Sequence, residues 1–212
     1  MSSSLDRAIA GHGLYTVFQP IVSLIDGAAV GYEALSRWPS LDAGAVFARA
    51  NITNQAAELD YRCIEAAIES AATAGINPGA MLSINTEAAG PTLRQCDQQA
   101  LTSCAQRYQI MFEVTERHLL KSPRSLLRHV DALRSDGYAI ALDDVGVQRD
   151  SCALFDVIVP DVIKLDLGLV QHQPTPEQAR TLTAVLAYRE KHAPPSWPKA
   201  SKPKNTSNRP SP

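Results

Sequence analysis

Apolar and polar residues alternate along the chain in two periods, one suited to strands and one to helices. Tyr15 to Leu24 is rich in β-formers, and Ala28 to Leu35 follows an Asp26-Gly27 turn signal, which predicts a hairpin. Pro20 ends the first of these strands or places it at an edge, because proline cannot donate to a ladder. Leu5 to Ala10 reads as a short helix, and Gly44 to Ala74 reads as helical throughout. Within the latter, Leu59, Cys63, Ala66, Ala67 and Ser70 recur at intervals of three and four, and Gly75 supplies a stop. Met81 to Asn85 and Gln109 to Thr115 are strands. Pro123 to Ser135 carries Leu126, Leu127, Val130 and Leu133 on one helical face, closed by Gly137. Tyr138 to Leu142 and Val162 to Leu165 are further strands, and Thr175 to Glu190 is a last helix. Strands separated by helices argue for parallel βαβ units, and short apolar runs with little alternation suit strands buried on both faces.

Against that apolar pattern, Glu33, Asn85, Glu113, Asp143 and Lys164 stand out, each within or at the end of a different strand. A carboxylate there is costly unless it is paired or holds a metal. Taken singly, each reads most simply as a strand-end cap or a turn residue. In a parallel barrel the C-terminal strand ends converge on one face, so five such groups would form a single cluster. Carboxylate and amide oxygens suit Mg²⁺ or Mn²⁺ and not zinc.

Composition narrows the class. Of 212 residues, 45 % are hydrophobic, enough for a sizeable core, and the net charge of −2 offers no overall attraction to nucleic acid or an anionic membrane. Residues 193–212 differ: they hold Lys199, Lys202, Lys204, Arg209, no acid and six of the 14 prolines. Proline at that density cannot sustain a helix or a central strand, so the expected division is a domain over 1–192 and a disordered Pro/Lys/Ser-rich tail over 193–212. Cys63, Cys96, Cys104 and Cys152 show no CxxC spacing and are expected to be reduced and mostly buried, as in a cytoplasmic protein. No apolar run approaches the ~18 residues needed to span a bilayer, and no signal-peptide block opens the chain, so no membrane partner is expected. The five histidines show no metal-binding spacing and are expected at the surface or at helix caps.

Six motifs in order give a family resemblance. They are Phe18-Gln19-Pro20-Ile21-Val22, Gly31-Tyr32-Glu33-Ala34-Leu35-Ser36-Arg37-Trp38, Ser83-Ile84-Asn85, Phe112-Glu113-Val114-Thr115-Glu116, Ala141-Leu142-Asp143-Asp144 and Pro160-Asp161-Val162-Ile163-Lys164-Leu165-Asp166. Over residues 15–170 the chain resembles the EAL family of cyclic di-GMP phosphodiesterases. The resemblance implies an α/β fold, a TIM-like (β/α) barrel with its first strand antiparallel. It implies Glu33, Asn85, Glu113 and Asp143 as ligands of one divalent ion, with Asp143 and Asp144 holding a second. Two such ions about 4 Å apart activate a water and stabilise the leaving oxygen. Lys164 and Asp144 are implied as catalytic, Gln19, Leu35 and Arg37 as substrate contacts, and Glu116 as the anchor of the loop after the Asp-Asp strand. Arg37 would offer a fork of donors to a phosphate of cyclic di-GMP. The reaction would open that ring to the linear dinucleotide.

The chain departs from the family pattern twice. Val145-Gly146-Val147-Gln148-Arg149-Asp150-Ser151 stands where the family shows a Phe-Gly-Thr-Gly run, which bears on the second ion and on the contact with a homodimer or protein partner. The seventh-strand Ala-Glu-Gly-x-Glu run and the eighth-strand Gln-Gly pair are absent, so the expected barrel lacks its last two strands of a ~250-residue whole. Codons chosen for Ser196 to Lys204 and read one nucleotide out translate as ILAEGIETE, so a frameshift near residue 192 is the expected origin of the tail. The expected function is therefore an EAL protein whose hydrolysis is lost or strongly impaired. The alternative is a non-catalytic cyclic di-GMP receptor or interaction module.

Overall fold

A computed structural model describes residues 3–86, 98–115, 123–147, 151–171 and 173–192. Six strands form one sheet in chain order, β1 (Tyr15–Val22), β2 (Ala29–Arg37), β3 (Met81–Asn85), β4 (Gln109–Thr115), β5 (Ala139–Val145) and β6 (Val162–Leu165). Strands β1 and β2 are antiparallel, and every later pair is parallel. The sheet is thus a curled half-barrel. Pro20 sits in β1, which among the described residues is an end strand of the sheet and pairs on one side only, as proline's lack of a donor suits. The turn before β2 uses Gly27 at φ +68°, which a residue with a Cβ adopts only with strain.

Helices follow the strands as right-sized connectors. They are α1 (Ser4–Ile9), α2 (Ala43–Ile52), α3 (Ala56–Thr73), α4 (Gln98–Arg107), α5 (Pro123–Ser135), α6 (Phe155–Ile158), α7 (Leu167–Val170) and α8 (Pro176–Lys191). A Thr175–Gln178 capping box and Pro176 in the first turn fix the start of α8. The single helical stretch expected over 44–74 is two helices. The chain turns at Asn54, in left-handed backbone at φ +57°, a conformation asparagine tolerates better than most residues. Strand β5 also runs three residues further than its apolar core, through Asp143, Asp144 and Val145.

One face of each inner strand packs outward against the helices. Leu82, Ile84, Ile110, Phe112, Val114, Ile140 and Leu142 meet Ile64, Ile68, Leu101, Leu126, Val130 and Leu133 in the main core. Each such side chain contributes about 1.5–3 kcal/mol on burial. A second cluster of Ile9, Trp38, Val46, Ala50, Leu59 and Cys63 ties α1 and α2 to the near end of α3. The residues between, at alternate positions, are left to face the hollow of the sheet, and these include the acids.

The described thiols behave as expected: none of Cys63, Cys104 and Cys152 is in a disulfide, the first two are buried and the third is half-buried. Cys96, Glu116, His118, His172 and the segment 193–212 lie outside the described residues. His129, expected at the surface or at a cap, is instead buried, because α5 turns it inward beside Leu126, Val130 and Leu133. Among the described residues no helix is long and apolar enough to cross a membrane.

Two outcomes follow from this packing. A Cβ at Gly31 would lie 2.6 Å from the Met81 carbonyl oxygen, so Gly31→Ala should force β2 from β3 and cost about 1–3 kcal/mol in urea unfolding. Burial pushes the Cys63 thiol up to about 12 and the Cys104 thiol up to about 11. Both should therefore resist iodoacetamide at pH 8 in the folded protein and react once urea unfolds it, as peptide mass analysis would read.

Candidate metal centre

Register places the polar side chains before any contact is considered. Gln19 lies opposite Glu33 across β1 and β2, and Glu33 lies opposite Ser83 across β2 and β3. Asn85 lies opposite Glu113, and Thr115 lies opposite Asp143. Side chains two apart in a strand share a face, so Glu33, Leu35 and Arg37 form one column, Ser83 and Asn85 a second, and Glu113 and Thr115 a third. Between β5 and β6 the register shifts after Leu142, and Asp144 adopts a left-handed φ of +59°. That irregularity breaks strict alternation at the point where two acids stand consecutively in the chain.

Carboxylates from three strands meet the ammonium of Lys164. Its Nζ lies 2.7 Å from Glu113 Oε2, 3.1 Å from Glu33 Oε2 and 3.4 Å from Asp143 Oδ2. The Asn85 side-chain amide donates to Glu33 Oε1 at 3.3 Å, and the Ser83 hydroxyl donates to Glu113 Oε1 at 2.5 Å. Glu113 is wholly buried. Burial raises its carboxyl above the ordinary range, while the Lys164 ammonium opposes that rise and Glu33 adds to it. Burial also works against the Lys164 charge, but Glu113, Asp143 and Glu33 together override it and hold the ammonium above the usual lysine value. Lys164 is therefore fully charged at neutral pH.

This arrangement suits a hard cation by its chemistry. Its donors are carboxylate and amide oxygens, and the position already holds positive charge. Among the described residues no group of three or more His, Cys, Asp or Glu stands ready-spaced for a metal ion, and three of the acids surround the Lys164 ammonium. A divalent ion among these oxygens requires that ammonium to withdraw.

A cavity of about 230 Å³ opens beside the cluster, lined in part by Leu35, Arg37, Asp60, Asn85, Thr86 and Thr115. Arg37 donates to the carbonyl of its neighbour Ser36 at 2.9 Å. The sequence thus named Glu33, Asn85, Glu113, Asp143 and Lys164, and the fold brings these five together. Gln19 shares the register row of Glu33, and Leu35 and Arg37 line the adjoining cavity. Ser83, Asp60 and Thr86 were missed as individual residues. Ser83 carried a signal, lying two before Asn85 and so on the same strand face.

Lys164→Met should leave three carboxylates facing one another without a counter-charge. Its stability at pH 7 without divalent ions should fall by about 3–5 kcal/mol in urea unfolding; an unchanged midpoint would show that the acids do not depend on the ammonium.

Comparison with known proteins fits this geometry. Residues 2–191 match the EAL domain family model. The chain is 29 % identical over 177 residues to the probable cyclic di-GMP phosphodiesterase PdeB of Escherichia coli, covering 78 % of this chain and 34 % of that protein. It spans about a third or less of the length of its first curated relatives. Among solved structures, BlrP1 of Klebsiella pneumoniae in its manganese and cyclic di-GMP complex superposes with a TM-score of 0.71 at 23 % identity, covering 86 % of this chain and 48 % of that one. Vibrio cholerae LapD (S helix-GGDEF-EAL, apo) gives 0.69 at 20 %, covering 89 % and 48 %. At such identities these two speak to the fold alone. Motifs, sheet order and family model agree, and the chain belongs to the EAL domain family.

Proposed function

We propose that this chain binds cyclic di-GMP at the rim of the half-barrel, in the manner of a phosphodiesterase site whose hydrolysis is strongly impaired. The observation that carries the reading is that Glu33, Glu113 and Asp143, from three strands, each reach one ammonium, with Asn85 of a fourth strand hydrogen-bonded to Glu33. Those four residues would hold one divalent ion, Mg²⁺ or Mn²⁺, and Asp143 and Asp144 a second. Such ions, when bound, supply Lewis acidity for a water and charge to the phosphoryl oxygens. The relatives support the ligand, since BlrP1 was solved with manganese and cyclic di-GMP and PdeB carries a phosphodiesterase name.

The chain's own residues have separable tasks. Arg37, beside the cavity, offers a planar set of N–H donors to a phosphate, and Leu35 supplies an apolar wall. Gln19, in the row of Glu33, would donate or accept from the edge of the ligand. Lys164 would hold a phosphoryl oxygen or the attacking water by charge. Glu116 would anchor the loop that follows Asp144. Hydrolysis joins the oxygen of one water to phosphorus and breaks the bond from phosphorus to one ribose oxygen; the water's proton must pass to a base, and the departing ribose oxygen takes up a proton. With an ion bound, Glu33, Glu113 and Asp143 would serve as its ligands, so none of the three would be left to accept the water's proton. The family's seventh-strand Ala-Glu-Gly-x-Glu run, which would offer another carboxylate, has no counterpart in this sequence, and that is the ground for expecting weak turnover.

The second reading, a receptor without catalysis, draws on the engagement of the acids by Lys164. Calorimetry with cyclic di-GMP in Mn²⁺, together with chromatography for the linear dinucleotide, separates the cases. The expected result is saturable binding with turnover about 10²–10⁴-fold below an intact general-base enzyme. Arg37→Ala should weaken that binding about tenfold or more, the worth of a charge-assisted phosphate contact. Absence of binding would overturn the proposal, and rapid turnover would overturn its impaired catalysis.

A further inference from the structure

Behind the rim lies a chain of three buried polar side chains drawn from three different elements. Asp60 of α3 is 2 % exposed, Thr86 at the end of β3 is 4 % exposed, and His129 of α5 is 8 % exposed. The Thr86 hydroxyl donates to Asp60 Oδ2 at 3.0 Å and lies 3.0 Å from His129 Nε2. A hydroxyl has one hydrogen, and a carboxylate oxygen can only accept it. The remaining contact is therefore a donation from the Nε2–H of His129 to the Thr86 oxygen. Burial lowers the tendency of this imidazole to take a second proton, which favours the neutral ring.

Thr86 is also fixed through its backbone. Its N–H donates to the carbonyl oxygen of Glu113 at 3.0 Å, so it continues the β3–β4 ladder one residue past Asn85. It is thus bonded in sequence to one candidate metal ligand and by hydrogen bond to another. Burying three polar side chains is unfavourable unless each finds a partner, and an apolar residue of the same shape would fill the space at no such cost. What the hydroxyl adds is direction: it locks the strand end in one rotation between two helices.

We propose that Thr86, held between Asp60 and His129, is a positioning residue that aims Asn85 and Glu113 at the divalent cation. The inference rests on the metal-site reading above. It concerns residues that bind no metal themselves and act through the two that do. Partners one step removed from a metal ligand restrict its orientation, and their loss commonly weakens metal affinity by about 10–100-fold.

The test is Mn²⁺ titration of the full chain, with free Mn²⁺ followed by electron paramagnetic resonance and the folded fraction by circular dichroism. Thr86→Val removes the hydroxyl while keeping the shape, and it should weaken Mn²⁺ binding by about 10–100-fold per folded molecule. Thr86→Ser keeps the hydroxyl and should bind as the unaltered chain does. Should Thr86→Val fail to fold, His129→Leu removes only the donor on the far side and should show a smaller loss in the same direction. Mn²⁺ affinity unchanged in the folded variants, with only a lowered unfolding temperature, would reduce the trio to a structural element and overturn the inference while the metal site stands. An unaltered chain that takes up no Mn²⁺ would overturn the metal site and, with it, the positioning role.

Discussion

The structure turns on one electrostatic demand. Three carboxylates from β2, β4 and β5 stand within 3.4 Å of a single ammonium on β6. Like charges held so close repel, most of all at the wholly buried Glu113, and a cation among them offsets that repulsion. Lys164 meets that demand from inside the chain. A divalent ion would meet it with twice the charge. The same demand explains why the neighbouring Asn85 and Ser83 turn their donors toward Glu33 and Glu113.

The rest of the molecule serves to hold that arrangement. Outward-facing Leu82, Phe112, Leu142 and their neighbours bind the strands to the helices, which fixes the register that lines up Glu33 with Ser83 and Asn85 with Glu113. A slip of one residue in any of these pairings would send an acid into the apolar layer, so burial and charge specify the same register. The left-handed turn at Asp144 departs from ideal strand geometry near the end of β5, where the register with β6 also shifts.

The strands and the main acids were legible because they write themselves in short patterns. Met81 to Asn85, Gln109 to Thr115 and Val162 to Leu165 are short, mainly apolar runs broken by Asn85, Glu113 and Lys164, and the structure keeps those limits. Helix α4 was passed over, since its buried stripe is only Leu101 and Cys104, continued by Tyr108 beyond its end. The break at Asn54 was hidden because polar and apolar spacing continues across it, and only the backbone angle reveals the turn. In the site, family motifs identified each ligand candidate, yet Asp60, Thr86 and His129 carry no pattern of their own. Their link spans 26 residues in one direction and 43 in the other, and only the packing of α3 and α5 on the strand ends creates it.

The claim that these oxygens form a divalent-ion site is tested most directly by diffraction from crystals soaked in Mn²⁺, with data collected where manganese scatters anomalously. The account predicts an anomalous peak bonded to oxygens of Glu33, Asn85, Glu113 and Asp143, with the Lys164 ammonium displaced from their centre. A peak elsewhere, or none while Lys164 keeps its contacts with the three acids, would contradict it.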